Sequence, residues 1–177
     1  DAFAEARPFL RDGRLLIVGY DSAEQEERVR GYVSSRGLPE AVRILGYREE
    51  IEEIMAVCDV TVDASWDGTG ITGTIRESMS VGTPVIATDC GGNREILHDP
   101  DLGWLIPPSD HERLVAAILD VASNPERAAE VSENASRYVR DTFSIDRRID
   151  RIETIYRACV AQRRGTTEPA GIPSDPE

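Results

Sequence analysis

The stretch GTGITGTIRESMSVGTPVIATDCGGNRE, residues Gly68 to Glu95, decides the fold class predicted for this chain. It contains a glycine-rich loop, a predicted helix start, a short apolar run at Val85 to Ala87 and a second glycine turn at Gly91-Gly92. A glycine loop that leads into a helix presents unpaired backbone N–H groups, and these favour an anion such as a phosphate. The stretch therefore predicts the phosphate-binding turn of an α/β domain.

The rest of the chain alternates short apolar runs with amphipathic helical segments. Strands are predicted at residues 15–18, 42–45, 60–62, 85–87 and 105–106, and helices at 22–36, 51–58, 111–122, 125–142 and after Ser144. Repeated strand–helix units indicate a Rossmann-like parallel β-sheet with helices on both faces, followed by C-terminal helices. The apolar run Leu15 to Val18 is expected to be buried on both faces. The domain is predicted to span residues 1–162, and the tail 163–177, rich in Gly, Pro and acidic residues, is predicted to be disordered.

Composition excludes several classes of partner. The chain has 177 residues and a net charge of −13, which repels nucleic acid and anionic membranes. No apolar run approaches the roughly 20 residues that a membrane-spanning helix needs, so the sequence carries no strong membrane signal. Three cysteines without a C-x-x-C pair indicate reduced thiols in a cytoplasmic protein and no metal site.

Glycines at strand ends predict a binding cleft. In parallel sheets, ligands bind outside the carboxyl ends of the strands. That rule places Gly19, Gly46-Tyr47 and the two glycine turns of the opening stretch along one edge of the sheet.

Residues 68–73 also spell G-x-G-x-x-G, the fingerprint of NAD-binding domains, and Asp89 stands where the ribose-binding acid is expected. Residues 64–67 separate the preceding strand from Gly68, however, so the loop is too long for the tight turn that a dinucleotide requires. Glu77 moreover stands where helix–sheet packing calls for a small side chain. An NAD-binding oxidoreductase domain is therefore the less favoured interpretation.

The same residues resemble a different family. From about residue 1 to 162 the chain is similar to the C-terminal, donor-binding half of retaining GT-B glycosyltransferases of family 4, the glycosyl transferases group 1. The resemblance lies in the order and spacing of five segments: LLIVG (15–19), VRILGY (42–47), CDVTVDAS (58–65), RESMSVGTPVIATDCGGNREI (76–96) and GWLIPPSD (103–110).

The resemblance implies roles for individual residues. Thr72, Gly73 and Thr74 open the helix that faces the donor's diphosphate, with the two threonines adding hydroxyl donors, and Glu77 accepts hydrogen bonds from the ribose hydroxyls. Gly46 belongs to the turn that pairs with the nucleobase, on which Tyr47 either packs or makes no contact. Gly19 is expected at the same edge of the cleft.

The sequence departs from the family at one position. The family motif is E-x7-E, and Thr69 stands where its first glutamate, near the donor sugar, is expected. Asp67 is the nearest upstream acid, and Thr69 and Gly70 are the alternative contacts to the sugar through hydroxyl and backbone. Asp67 and Thr69 are therefore only candidates for residues near the reacting sugar.

The resemblance also implies a function. The chain is expected to be the donor-binding half of an enzyme that transfers a hexosyl group from a UDP-, GDP- or ADP-sugar with retention, without a metal or other cofactor. Its partner is expected to be an N-terminal acceptor-binding domain of the same protein. The first strand of this half and the Arg and Lys that follow it are expected to be absent, so that the isolated chain is inactive. The alternative is a non-catalytic GT-B-like domain used for binding or assembly.

Overall fold

A computed structural model of the chain describes residues 1–19, 22–68 and 70–163; Thr69 and the predicted disordered tail from residue 164 onward lie outside the described residues. The strands are β1 (Leu15–Val18), β2 (Val42–Gly46), β3 (Thr61–Asp63), β4 (Val85–Thr88) and β5 (Trp104–Ile106). The helices are α1 (Ala2–Ala6), α2 (Ala23–Ser35), α3 (Ile51–Ala56), α4 (Gly73–Val81), α5 (Asn93–Ile96), α6 (His111–Ser123), α7 (Pro125–Phe143) and α8 (Ile145–Arg163). The predicted α/β alternation that ends in C-terminal helices is confirmed.

All strand pairs are parallel, but the described strands form two hydrogen-bonded sheets, where the sequence predicted one. β1 pairs with β2, and β4 lies between β3 and β5. The expectation that Leu15 to Val18 is buried on both faces is wrong, since all four residues of β1 are only half-buried. Among the described strands, β1 has a neighbour on one side only, whereas β4, which has two, is buried throughout.

The apolar core lies where β4 and β5 meet the helices that follow them. Ile86 and Ile106 pack with Ala117 and Val121 of α6 and with Ala128 of α7. At about 25 cal/mol per Å² of buried apolar surface, such side chains supply most of the stabilisation of the sheet. This core holds β4 in place, and with it the loops at the carboxyl end of the strand.

Both ends of α4 are defined by specific backbone geometry. The helix begins after Thr72, whose backbone is extended, and ends at Gly82, whose φ of 82° is the left-handed conformation favoured at helix C-termini. The Ser132 hydroxyl on α7 donates to the Gly82 carbonyl and so anchors this end of the helix. α4 is thereby fixed with its first turn next to the carboxyl end of β3.

The described residues 137–163 belong to a second compact unit, distinct from residues 1–136. The Ser144 hydroxyl accepts a hydrogen bond of 3.4 Å from the Arg147 N–H, as expected for the cap of α8. Four isoleucines and Tyr156 on α8 are exposed. Among the described helices, none combines the length and the apolar character that a membrane span requires.

Candidate functional site

An open cavity of about 610 Å³ lies at the carboxyl ends of β1 and β3. The residues that line it come from the end of β1, from the β3–α4 connection and from the first turn of α4. They are Val18, Val62, Asp63, Ala64, Ser65, Trp66, Asp67, Thr72 and Thr74. This is the edge of the sheet at which the sequence predicts a ligand.

The N-terminus of α4 is the main electrostatic feature beside this cavity. No side chain of the described residues caps it, so the first N–H groups of the helix, on Gly73 and Thr74, have no capping acceptor among them. Aligned peptide dipoles give such an end roughly half a positive charge. The lining that the structure describes contains Asp63 and Asp67 but no arginine or lysine. The positive potential that an anion would meet here therefore comes from the backbone.

Glu77 lies one turn further along α4, above Gly73. Its Oε1 is 3.3 Å from the point that a β-carbon on Gly73 would occupy, so the absence of a side chain at Gly73 leaves room for the carboxylate. The residue is half-buried. The structure thus brings Thr72, Gly73, Thr74 and Glu77 together at the start of α4, where Thr72 and Thr74 line the cavity and Gly73 and Glu77 lie outside its lining.

A second loop packs against the β3–α4 loop through its glycines. The Gly92 N–H donates to the Gly70 carbonyl at 3.1 Å. A β-carbon on Gly91 would stand 2.8 Å from the Gly68 carbonyl oxygen, and the φ of Gly91 is +53°. Both positions therefore require glycine, and the two loops form one packed layer.

Asn93, a residue that the sequence pattern did not reveal, joins this layer to α4. The side chain is fully buried; its Oδ1 accepts from the Thr72 N–H (3.2 Å) and from the Thr72 hydroxyl (3.0 Å). Its Nδ2 donates to the Thr88 carbonyl at 3.0 Å. No hydrophobic periodicity reveals a buried amide of this kind; the only sequence signal is its place directly after the Gly91-Gly92 turn.

Asp63 at the end of β3 was also missed. Its Oδ1 accepts from the Ser65 N–H at 3.0 Å and from the Ser65 hydroxyl. Its Oδ2 is buried and has no hydrogen-bond partner among the described residues. A buried acceptor without a partner is unfavourable by about 1–3 kcal/mol. The available signal was a carboxylate within the apolar run Val60 to Asp63.

Gly19, Gly46 and Tyr47 lie at the carboxyl ends of the other sheet. The Gly19 N–H donates to the Gly46 carbonyl at 2.8 Å, and both glycines have positive φ. The Tyr47 side chain is 75% exposed. These residues do not line the cavity, which reaches the β1–β2 sheet through Val18.

Asp67 lines the cavity and is exposed, with its Oδ1 accepting from the N–H of the adjacent Gly68 at 2.8 Å. The other candidate near the reacting sugar, Thr69, is outside the described residues. Gly70 is exposed and contacts the second glycine turn.

The geometry does not favour the dinucleotide interpretation. Asp89 forms a two-point ion pair with Arg94, so the carboxylate proposed for a ribose already has a partner. The loop from Ala64 to Thr72 separates β3 from α4, which rules out the tight turn that a dinucleotide requires.

Cys58, the residue before Asp59, lies outside the lining of the cavity and is not an activated thiol. Burial, and secondly the neighbouring Asp59, raise the pKa of the Cys58 thiol, which keeps it protonated.

Comparisons with known proteins agree with this geometry. A family model described as "Glycosyl transferases group 1" matches residues 1–124. An exopolysaccharide phosphotransferase of Streptomyces coelicolor is 31% identical over 147 residues, which cover 80% of this chain and 15% of that protein. A UDP-Gal:alpha-D-GlcNAc-diphosphoundecaprenol alpha-1,3-galactosyltransferase of Escherichia coli is 27% identical over 87% of this chain and 41% of its own length.

The fold is also shared with a solved structure that contains UDP. The crystal structure of Anabaena HepE in complex with UDP superposes with a TM-score of 0.78 at 23% identity, covering 88% of this chain and 44% of that one. The chain thus spans less than half the length of each of these three proteins. Because the family model covers well over half of the sequence, the chain belongs to the glycosyl transferases group 1 family.

Proposed function

We propose that the chain is the donor-binding half of a glycosyltransferase that transfers a hexosyl group from a nucleoside-diphosphate sugar with retention. The observation that carries the proposal is the uncapped N-terminus of α4 beside the cavity. A site that offers backbone N–H donors in place of lysines suits a diphosphate, which is bound as substrate and leaves as product.

The same donors would act on the reaction itself. As the bond from the sugar to the diphosphate breaks, negative charge develops on the departing phosphate oxygen. Fixed N–H groups at Gly73 and Thr74, supported by the dipole of α4, stabilise that charge without having to reorient. Stabilisation of this kind lowers the barrier only where it exceeds that in the bound substrate.

Glu77 is assigned to the ribose. Its carboxylate lies over the first turn of α4, one helical turn from the N–H groups proposed to bind the diphosphate. From there it accepts hydrogen bonds from two neighbouring hydroxyls of the ribose. The nucleobase then extends toward Gly46 and Tyr47, at the ends of the neighbouring sheet. UDP is the first nucleotide to test among UDP, GDP and ADP, because the Escherichia coli relative is named for UDP-Gal and the Anabaena neighbour contains UDP.

A further parallel strand is proposed between β1 and β3, as part of a larger protein that also carries the acceptor-binding half. Three features support it: the half-buried apolar residues of β1, the 39% exposure of Val62 on β3, and the partnerless Oδ2 of Asp63. Both strands border the same cavity and lack a partner on that side. The Arg and Lys that neutralise the diphosphate in this family are proposed to follow the added strand, which leaves the isolated chain able to bind nucleotide but unable to transfer sugar.

Calorimetric titration of the chain with UDP, GDP and ADP tests the proposal. One of the three is expected to bind, uridine far more weakly than UDP, and no sugar is released from the matching nucleotide sugar. The absence of binding by all three nucleotides contradicts the assignment of a donor site, and transfer by the isolated chain contradicts the proposed incompleteness.

The second candidate is a non-catalytic domain that uses the same fold for binding or assembly. Thr69, in place of the motif glutamate, favours it, as does the Streptomyces coelicolor relative, a phosphotransferase of which this chain covers only 15%. Turnover of a nucleotide sugar by the longer protein distinguishes the two, because a binding domain retains nucleotide affinity without transfer.

A further inference from the structure

We propose that Asn93 is a positioning residue of the nucleotide-diphosphate site, which holds Thr72 through both its N–H and its hydroxyl so that Gly73 and Thr74 alone present donors to the phosphates. The inference rests on the proposed function and adds a residue to it that acts through another side chain.

Both hydrogen-bond donors of Thr72 are bound by one acceptor. Its N–H and its hydroxyl both donate to Asn93 Oδ1, at 3.2 and 3.0 Å. A hydroxyl has a single hydrogen, so while these bonds exist Thr72 donates nothing to a ligand. The expectation that both threonines add hydroxyl donors is therefore revised: both line the cavity, but the Thr72 hydroxyl donates to Asn93, which leaves the role to Thr74.

Asn93 is itself held at the end of β4. The residue is fully buried, and its Nδ2 donates to the Thr88 carbonyl at the end of β4, the strand at the centre of the core. The carboxamide thus has both ends in use and a single orientation. Through it the start of α4 is hydrogen-bonded to the end of β4 as well as being joined to the glycine loop.

The Gly91-Gly92 turn packs directly against the β3–α4 loop. The Gly92 N–H bonds the Gly70 carbonyl, and Gly91 lies too close to Gly68 for any side chain. Residues 91–93 therefore pack against the β3–α4 loop on one side and hydrogen-bond Thr72 on the other. Such a device sets the direction in which the amides of Gly73 and Thr74 point, and a misplacement of about 1 Å at a site of this kind lowers function by up to about a hundredfold.

A double-mutant cycle tests the inference. Asn93→Ala is expected to weaken UDP binding by about tenfold or more, whereas uridine affinity, measured by NMR titration, stays unchanged. Thr72→Val, which removes only the hydroxyl, is expected to weaken UDP binding less. The double variant should bind like Asn93→Ala alone, because both changes remove one device. Thr74→Val should instead add to Asn93→Ala.

Ser132→Ala is the matched control. It removes a buried hydrogen bond at the opposite end of the same helix, from the Ser132 hydroxyl to the Gly82 carbonyl. It should lower the melting temperature without altering UDP affinity.

If Asn93→Ala only lowers the melting temperature in the same way, or if the effects of Thr72→Val and Asn93→Ala on UDP affinity are additive, the positioning role is wrong. Should Asn93→Ala fail to fold, the UDP affinities of Thr72→Val and Thr74→Val are compared instead. Equal and additive losses of affinity would mean that the two hydroxyls each donate to the ligand independently, which contradicts the proposal. If the unaltered chain binds none of the three nucleotides, the proposed function fails before this inference is reached.

Discussion

At the scale of single residues, Glu77 is the residue proposed to bind the ribose. Glu77→Ala is expected to weaken UDP binding by about tenfold to a hundredfold, because hydrogen bonds to a charged acceptor contribute about 1.5–3 kcal/mol. Calorimetry of UDP against 2′-deoxy-UDP provides the control: the unaltered chain should prefer UDP, and Glu77→Ala should bind both equally. A preference for UDP that survives the substitution contradicts the contact with the ribose.

Asp67 is the residue on which the distinction between binding and chemistry depends. It lines the cavity but is exposed and lies outside α4, so Asp67→Asn should leave nucleotide affinity unchanged. In the longer protein the same substitution is expected to reduce transfer, because the carboxylate is the described acid closest to the motif position at Thr69. Unchanged turnover, with the melting temperature preserved, excludes Asp67 from the reaction.

At the scale of elements, the site depends on contact between two glycine loops. Gly91→Ala should both destabilise the chain and weaken UDP binding, because its methyl group would stand 2.8 Å from the Gly68 carbonyl oxygen. Gly37→Ala is the matched control: its φ is +68°, but nothing lies within 4 Å of the added carbon. The control should lose about 1–2 kcal/mol of stability from the left-handed backbone alone and retain full affinity. Equal effects of the two substitutions on affinity contradict a role for the loop contact.

The elements themselves were largely predictable from local patterns. Apolar runs marked β1, β2 and β4, the first two of them ended by glycine, and Ser22 and Ser144 marked the starts of α2 and α8. The half-burial of β1 was not predictable, because a residue pattern states which face is apolar but not whether a neighbouring strand covers the edge. Asn93 and Asp63 were missed for a related reason: the use of a buried polar side chain is set by partners distant in sequence.

At the scale of the whole molecule, the division of the strands into two sheets makes a prediction about dynamics. β4 has strands on both sides and is fully buried, whereas β1 and β3 each have one open edge. Backbone amides of β4 should therefore exchange with solvent far more slowly than those of β1 and β3, as measured by hydrogen exchange with NMR detection. In a longer form of the protein that fills the space between β1 and β3, the amides of both strands should become protected. Equal protection of β1 and β4 in this chain contradicts the open edge.

The first turn of α4 is proposed to bind the diphosphate of a nucleotide. An NMR titration of the ¹⁵N-labelled chain with UDP tests it most directly, because it reports each amide separately. The amide signals of Gly73 and Thr74 should shift in a saturable manner, and uridine, which has no phosphate, should leave them almost unmoved. Saturable UDP binding that shifts other amides while those of Gly73 and Thr74 remain unchanged would contradict the account.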